Sequence, residues 1–223
     1  MFSGQRNLAQ FKPQNIAIWF SMAFQAGMIN SGGFLSCHRF VTHTTGFATH
    51  FGTELAMGNT FSAFGMLSVP FFFLFGSMVS AFFVDRRYIR GQRPLYHWMF
   101  ALISVFMLLI TILGESNFFG TFGDNMLLTK DYFLLVLLCM SSGIQNAAIT
   151  SASGSVVRTT HLTGITTDLG IGLVRAMSLG YSDKVQASES KSNWMRAGII
   201  ISFIFGSTIS ALIYLRINYL GFI

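Results

Sequence analysis

Thr, His and Gly residues recur in one spacing at two places in this chain, 118 residues apart, each time inside an otherwise apolar stretch. The first copy is Thr42-His43-Thr44-Thr45-Gly46-Phe47-Ala48-Thr49-His50-Phe51-Gly52-Thr53-Glu54-Leu55. The second is Thr160-His161-Leu162-Thr163-Gly164-Ile165-Thr166-Thr167-Asp168-Leu169-Gly170-Ile171-Gly172-Leu173. They share the pattern T-H-x-T-G-x-x-T-x-x-G-x-x-L. Polar groups are costly in hydrocarbon, so a repeated polar helix in an apolar chain marks a functional-site candidate.

Helical spacing separates two faces on each copy. Thr45, Thr49 and Gly52, with Gly46 beside them, match Thr163, Thr167 and Gly170, with Gly164. Small residues at i, i+4 and i+7 let another helix approach closely, and threonine hydroxyls bond across or back to the i−4 carbonyl. This face reads as helix packing, with which a homo-oligomer is compatible. The second stripe carries His43, His50 and Glu54 on one copy and His161, Asp168 and Arg175 on the other. If a pseudo-symmetry axis brings the stripes together, these groups line one polar cavity, a solute or ion pathway in which His50 and Asp168 lie close. Asn30, Gln145 and Asn146 could add hydrogen bonds there. Buried structural ion pairing, or snorkelling of Glu54 and Arg175 to the interface, is the competing reading.

Other chemistries find little support. His38, His43 and His50 lack the spacing of a zinc helix, and Cys37 and Cys139 belong to no paired motif, so no metal is expected. No nucleophile elbow and no phosphate-cradling glycine loop occurs, which argues against an enzyme, against ATP and against any cofactor.

These residues must be positioned by membrane helices. Apolar residues make up 52% of the chain and charged ones only 10%, the profile of an integral membrane protein. The net basic charge then reads as cytoplasmic loops rather than nucleic-acid binding. The first apolar run has no small-residue cleavage site and reads as a retained helix. Five stretches suit membrane spans: Ile16–Cys37, Phe61–Val84, Leu95–Leu113, Tyr132–Thr150 and Trp194–Tyr214. With polar helices over about 42–60 and 160–179, seven helical segments result. Gly27-Met28-Ile29-Asn30 and Gly143-Ile144-Gln145-Asn146 occupy equivalent places. The expected fold is all-α: a single membrane domain over 1–223, with repeat one over about 14–84, a linker helix over 95–113, and repeat two over 131–216. Pro70 should kink the third segment, and Trp19, Trp98 and Trp194 should anchor at interfaces.

Topology has two solutions. If all seven segments cross, basic residues divide seven to seven and the halves are parallel repeats. If both polar helices dip in and return, the split is eleven to three, the N-terminus lies inside, and the halves are inverted. Charge favours five crossings. Length favours seven, because 19 residues of helix span about 28 Å, and six or seven membrane helices are the expectation.

The stretch Gly143-Ile144-Gln145-Asn146-Ala147-Ala148, followed by Val157-Arg158-Thr159-Thr160-His161-Leu162-Thr163-Gly164-Ile165-Thr166-Thr167-Asp168-Leu169-Gly170, resembles the signature of the YoaK-like membrane proteins, the domain of unknown function 1275 family. Ala26-Gly27-Met28-Ile29-Asn30 and Thr45-Gly46 fit more loosely. The resemblance implies a multi-pass protein of a bacterial inner membrane with six or seven helices. It departs at Asn30, where members commonly carry an acid, and at Phe47, where they carry an asparagine. It supplies no substrate. The functional expectation is a secondary transporter or permease for a small solute, with a non-transporting membrane sensor or assembly partner as the rival.

Overall fold

The computed structural model describes residue 8 and residues 10–42, 44–124, 129–155, 157–177 and 182–223, with no strand among them. Eight α-helices follow in order: α1 (Pro13–Cys37), α2 (Thr45–Ala56), α3 (Thr60–Phe83), α4 (Asp85–Ile89), α5 (Tyr96–Glu115), α6 (Thr129–Ala152), α7 (Leu162–Met177) and α8 (Asp183–Ile217). A 3-10 turn over Asn218–Phe222 closes the described chain. Among the described residues, four helical stretches are long and apolar enough to cross a membrane: Thr60–Ile89, Tyr96–Glu115, Tyr132–Ala152 and Asp183–Phe222. The expected span Ile16–Cys37 is helical throughout but is not one of these four. Gln25, Asn30 and three glycines make it more polar, and it buries Trp19, Ala23, Ala26, Gly27, Ile29 and Gly33 within the bundle.

Local signals explain the helix ends. Pro13 opens α1, where a missing N–H costs nothing. α1 stops at His38, which turns left-handed (φ 53°) with its N–H on Phe34 O. α2 ends early because Gly58 takes φ 81°, with its N–H on Leu55 O and the Asn59 N–H on Glu54 O. The first polar helix, expected over 42–60, therefore has 12 residues and measures about 18 Å. The second has 16 described residues, about 24 Å. Both fall short of the ~30 Å hydrocarbon core. α8 has 35 residues, about 52 Å, so it extends well beyond that thickness.

The order of contacts fixes helix directions. Along α1 and α8, the Phe20 ring meets Gly198, Phe24 O meets Gly206, Phe203 O meets Gly27, and the Tyr214 hydroxyl meets Gly32. The pairs climb together, so α1 and α8 are parallel. Along α3 and α6, Gly65 meets Tyr132, Gly76 meets Met140 O, and Gly143 meets Phe73 O, again in parallel order. α1 and α6 oppose each other. The Gln145 side-chain amide donates to Met22 O at 2.8 Å and Ile149 packs by Trp19, whereas Ile29 and Cys37 pack among Leu134, Leu135 and Leu138. It follows that α1 and α3 are antiparallel, as are α6 and α8. Each short polar helix thus joins two helix ends at the same end of the bundle.

The two crossings are built alike. Ser207 Oγ donates to Gly27 O at 3.1 Å, and Ser77 Oγ donates to Gly143 O at 3.2 Å. Glycine at each crossing lets backbones touch, which in lipid supplies packing that apolar burial cannot. α5 leans on α6 through Met99, Ile103 and Ile144. The C-terminal turn seals one end, where Thr111 Oγ1 donates to Tyr219 O at 3.2 Å and Phe222 lies by Gly32. Pro70 sits within an unbroken α3. Trp98 and Trp194 are 60% and 78% exposed, whereas Trp19 is wholly buried and donates Nε1–H to Leu8 O at 2.8 Å.

Candidate functional site

A non-helical stretch runs back into the bundle before each polar helix. After α1 the chain doubles back so that Val41 packs on Gly33. Thr42 then donates twice to Asn30 Oδ1, from Oγ1 at 2.9 Å and from its backbone N–H at 3.3 Å. Asn30 stands seven residues before the end of α1, so Thr42 lies about 10 Å inside the bundle. After α6 the same device recurs: Thr160 Oγ1 donates to Asn146 Oδ1 at 2.7 Å. Ser153 Oγ braces that stretch by accepting from Val157 N–H at 3.0 Å. Asn146 Nδ2 also approaches His161 Nε2 at 3.5 Å.

Both polar helices consequently begin deep in the bundle and run outward to opposite ends. Their N-termini open onto one cavity of about 400 Å³. Its polar lining is Asn30, Thr42, Thr44 and Thr45 from one side and Thr160, His161 and Thr163 from the other. Phe73 and Phe203, from the α3 and α8 crossings, and Phe40 supply apolar walls. A second cleft of about 370 Å³ adjoins it and shares His161 and Gly164. That cleft runs between α7 and the first half of α8, lined by Ser155, Arg158, Asp168, Ser192 and Arg196 among others. At matching positions towards the opposite end stand Phe47, Met66 and Val69, all buried, in place of Ile165, Arg196 and Ile199.

Of the expected pathway residues, the structure brings Asn30 and His161 to the cavity and Asp168 to the cleft. Gln145 and Asn146 hold backbone and the Thr160 stretch. Glu54 accepts from Asn59 Nδ2 at 3.0 Å near the end of α2. Arg175 pairs with Glu189 at 3.4 Å, and Glu189 also takes Arg196 at 3.3 Å. His43 lies outside the described residues. His50 is exposed on α2 and forms no ion pair or hydrogen bond with Asp168 among the described residues. The physical reason is direction: α2 and α7 run apart from a shared centre, so equivalent positions diverge.

The face expected to pack helices is open within the chain. Gly52, Gly164 and Gly170 meet nothing within 4 Å, and Thr45, Thr49, Thr163 and Thr167 are exposed. Gly46 is half-buried. Close helix contact falls instead to Gly27, Gly76, Gly143 and Gly206. A sequence signal for them existed: Phe73-Leu74-Phe75-Gly76-Ser77 and Phe203-Ile204-Phe205-Gly206-Ser207 are near-copies. The same near-copy would have found Phe73 and Phe203. Arg158, Ser155 and Arg196 carry no matching signal, because their counterparts in the other half differ in type.

A bundle of long apolar helices with two short polar helices meeting inside it defines a membrane-embedded helical protein. The chain belongs to the DUF1275 family, whose description is protein of unknown function; the family model matches residues 18–223. No curated protein and no solved structure matches the chain.

Proposed function

We propose that this protein is a permease or secondary transporter for a small solute, whose binding site is the cavity between the N-termini of α2 and α7. The observation that carries the reading is that cavity: two half-length helices start at its walls, each tethered by an asparagine. Discontinuous helices meeting near the midplane are how transporters expose backbone groups to a solute without exposing them to lipid.

Five crossings, by α1, α3, α5, α6 and α8, fit the helix directions, with α2 and α7 entering and returning. The two halves are then inverted repeats, and eleven of fourteen basic residues lie, by chain position, at the end where α1 begins. The charge rule makes that end cytoplasmic. The bacterial inner membrane is the location this reading suggests. With Cys37 and Cys139 replaced, single cysteines at Gln14 and Gln92 should both resist an impermeant thiol reagent outside intact cells, while one at Ser116 reacts. Labelling of Gln14 from outside while Gln92 stays protected would sink the five-crossing arrangement.

The cleft makes the cavity accessible from that same end, and the buried Phe47, Met66 and Val69 oppose access from the other. Gly164 stands where cleft and cavity join, with open space beside it. Gly164→Trp should therefore fold normally yet reduce solute movement in reconstituted vesicles by an order of magnitude or so, by occluding the junction. Wild-type vesicles impermeable to every small solute tried would defeat the transport reading.

The open Thr/Gly faces of α2 and α7 support a second reading, an assembly partner that uses them to bind another helix. Cysteines at Gly52 or Gly170 would then cross-link between copies in the membrane, and solute movement would be absent.

A further inference from the structure

We infer that the solute taken at this site is a small anion, drawn in past Arg158 and His161 to the two helix N-termini; this deepens the transport reading above and rests on it. Three observations converge. The cleft leading to the cavity carries two arginines and one carboxylate in its lining, Arg158, Arg196 and Asp168. Arg196 is engaged by Glu189 and by Asn193 Oδ1 at 2.8 Å, whereas Arg158 is exposed and has no ion-pair partner among the described residues. His161 lines both the cleft and the cavity beyond it.

The order of charges along the path matters more than their sum. Asp168 lies a turn of α7 further from the cavity than Gly164, towards the mouth. Arg158 and His161 belong to the stretch that enters α7. Beyond them the described lining of the cavity contains no carboxylate: its polar groups are threonine hydroxyls and the Asn30 amide, and its walls are apolar. Facing this space are the first turns of α2 and α7, whose free N–H groups and dipoles both favour negative charge. A cation moving inwards would leave its one carboxylate behind and meet positive ends. An anion meets the reverse. The volume admits an oxyanion or a short carboxylate together with several waters.

The test uses the full chain in vesicles of neutral lipid, with formate and nitrate as probes and potassium and glycerol as controls. Formate and nitrate should enter well ahead of both controls. Arg158→Gln should lower formate entry about tenfold, the size expected for one charge-assisted contact, and Arg158→Lys should restore most of it. Asp168→Asn should act in the opposite direction, raising formate entry roughly twofold as a like charge leaves an exposed mouth. A purely structural role would make both neutralisations harmful. Thermal stabilisation of the purified protein by formate, in wild type and in Arg158→Gln, provides a binding readout independent of flux. If potassium or glycerol keeps pace with formate, or if Arg158→Gln changes nothing, the anion assignment falls while transport stands. If nothing moves but formate stabilises wild type and not Arg158→Gln, transport falls and the anion site stands. If none of the four probes moves and formate does not stabilise the protein, both fall; if only potassium or glycerol moves, the anion assignment alone falls.

Discussion

Replacing Gly206 or Gly143 by valine is expected to remove the folded protein from the membrane. A Cβ on Gly206 would enter the van der Waals shell of Phe24 O, and one on Gly143 would enter that of Phe73 O. These obstacles are backbone, not the movable end of a side chain, so the two helices must separate along their length. Overpacking alone costs about 1–3 kcal/mol and sometimes more, and each separation also breaks a serine bond, Ser207 Oγ to Gly27 O or Ser77 Oγ to Gly143 O. Because the α1–α8 and α3–α6 crossings are built alike, Gly27→Val and Gly143→Val should lose similar amounts, as should Gly76→Val and Gly206→Val. The measure is the yield of monodisperse protein extracted in mild detergent, with its unfolding midpoint. Gly52→Val and Gly170→Val, which meet open space inside the chain, are the controls and should leave both near normal. Equal damage at crossing and control positions would refute this account of the packing.

The contrast between those two sets of glycines shows what could be read from the sequence. The repeated Thr-Gly phrase and the paired Asn30 and Asn146 led to the residues around the cavity, because both halves keep the same polar types in the same order, although the spacing from asparagine to threonine differs by two residues. Their function as tethers was not legible. Nothing in Val41-Thr42 or Thr159-Thr160 signals a non-helical stretch folded back into the bundle, which is held there because an asparagine on the preceding helix accepts the threonine hydroxyl. The length of α2 was legible in principle: Gly58 is a left-handed stop that the apolar pattern of the surrounding residues hides. At 12 residues that helix is shorter than the hydrocarbon core, so segment length no longer argues for seven crossings. The pairing of His50 with Asp168 failed for the same reason. Residues on helices that diverge from a shared centre approach each other only near that centre, and these two lie more than a turn along α2 and α7. Glu54 and Arg175, expected in the cavity, end up near the outer ends of their helices with local partners.

Asn30→Asp and Asn30→Leu should separate the tether from the charge environment of the cavity. Leucine removes the acceptor for two bonds from Thr42 and leaves that nearly buried hydroxyl unpaired, at about 1–3 kcal/mol. Stability and solute movement should both fall, and Asn146→Leu should do the same through Thr160, which is also nearly buried. Aspartate keeps an acceptor oxygen at the same place, so the bonds from Thr42 persist and the folded yield stays near wild type. It also places a carboxylate in the lining of the cavity, facing the α2 and α7 N-termini, where it competes with an incoming anion for the same positive ends. Formate entry should therefore fall at least tenfold in Asn30→Asp at neutral pH, without the loss of stability seen in Asn30→Leu. Protonation removes the added charge, so entry of nitrate, which itself stays charged, should recover in Asn30→Asp as pH falls through the carboxyl titration, while Asn30→Leu stays impaired at every pH. Measured across a pH series in vesicles, an Asn30→Asp protein that carries formate as well as wild type at neutral pH would contradict an anion site between the two helices. One that unfolds as readily as Asn30→Leu would show that the asparagine acts through more than its acceptor oxygen.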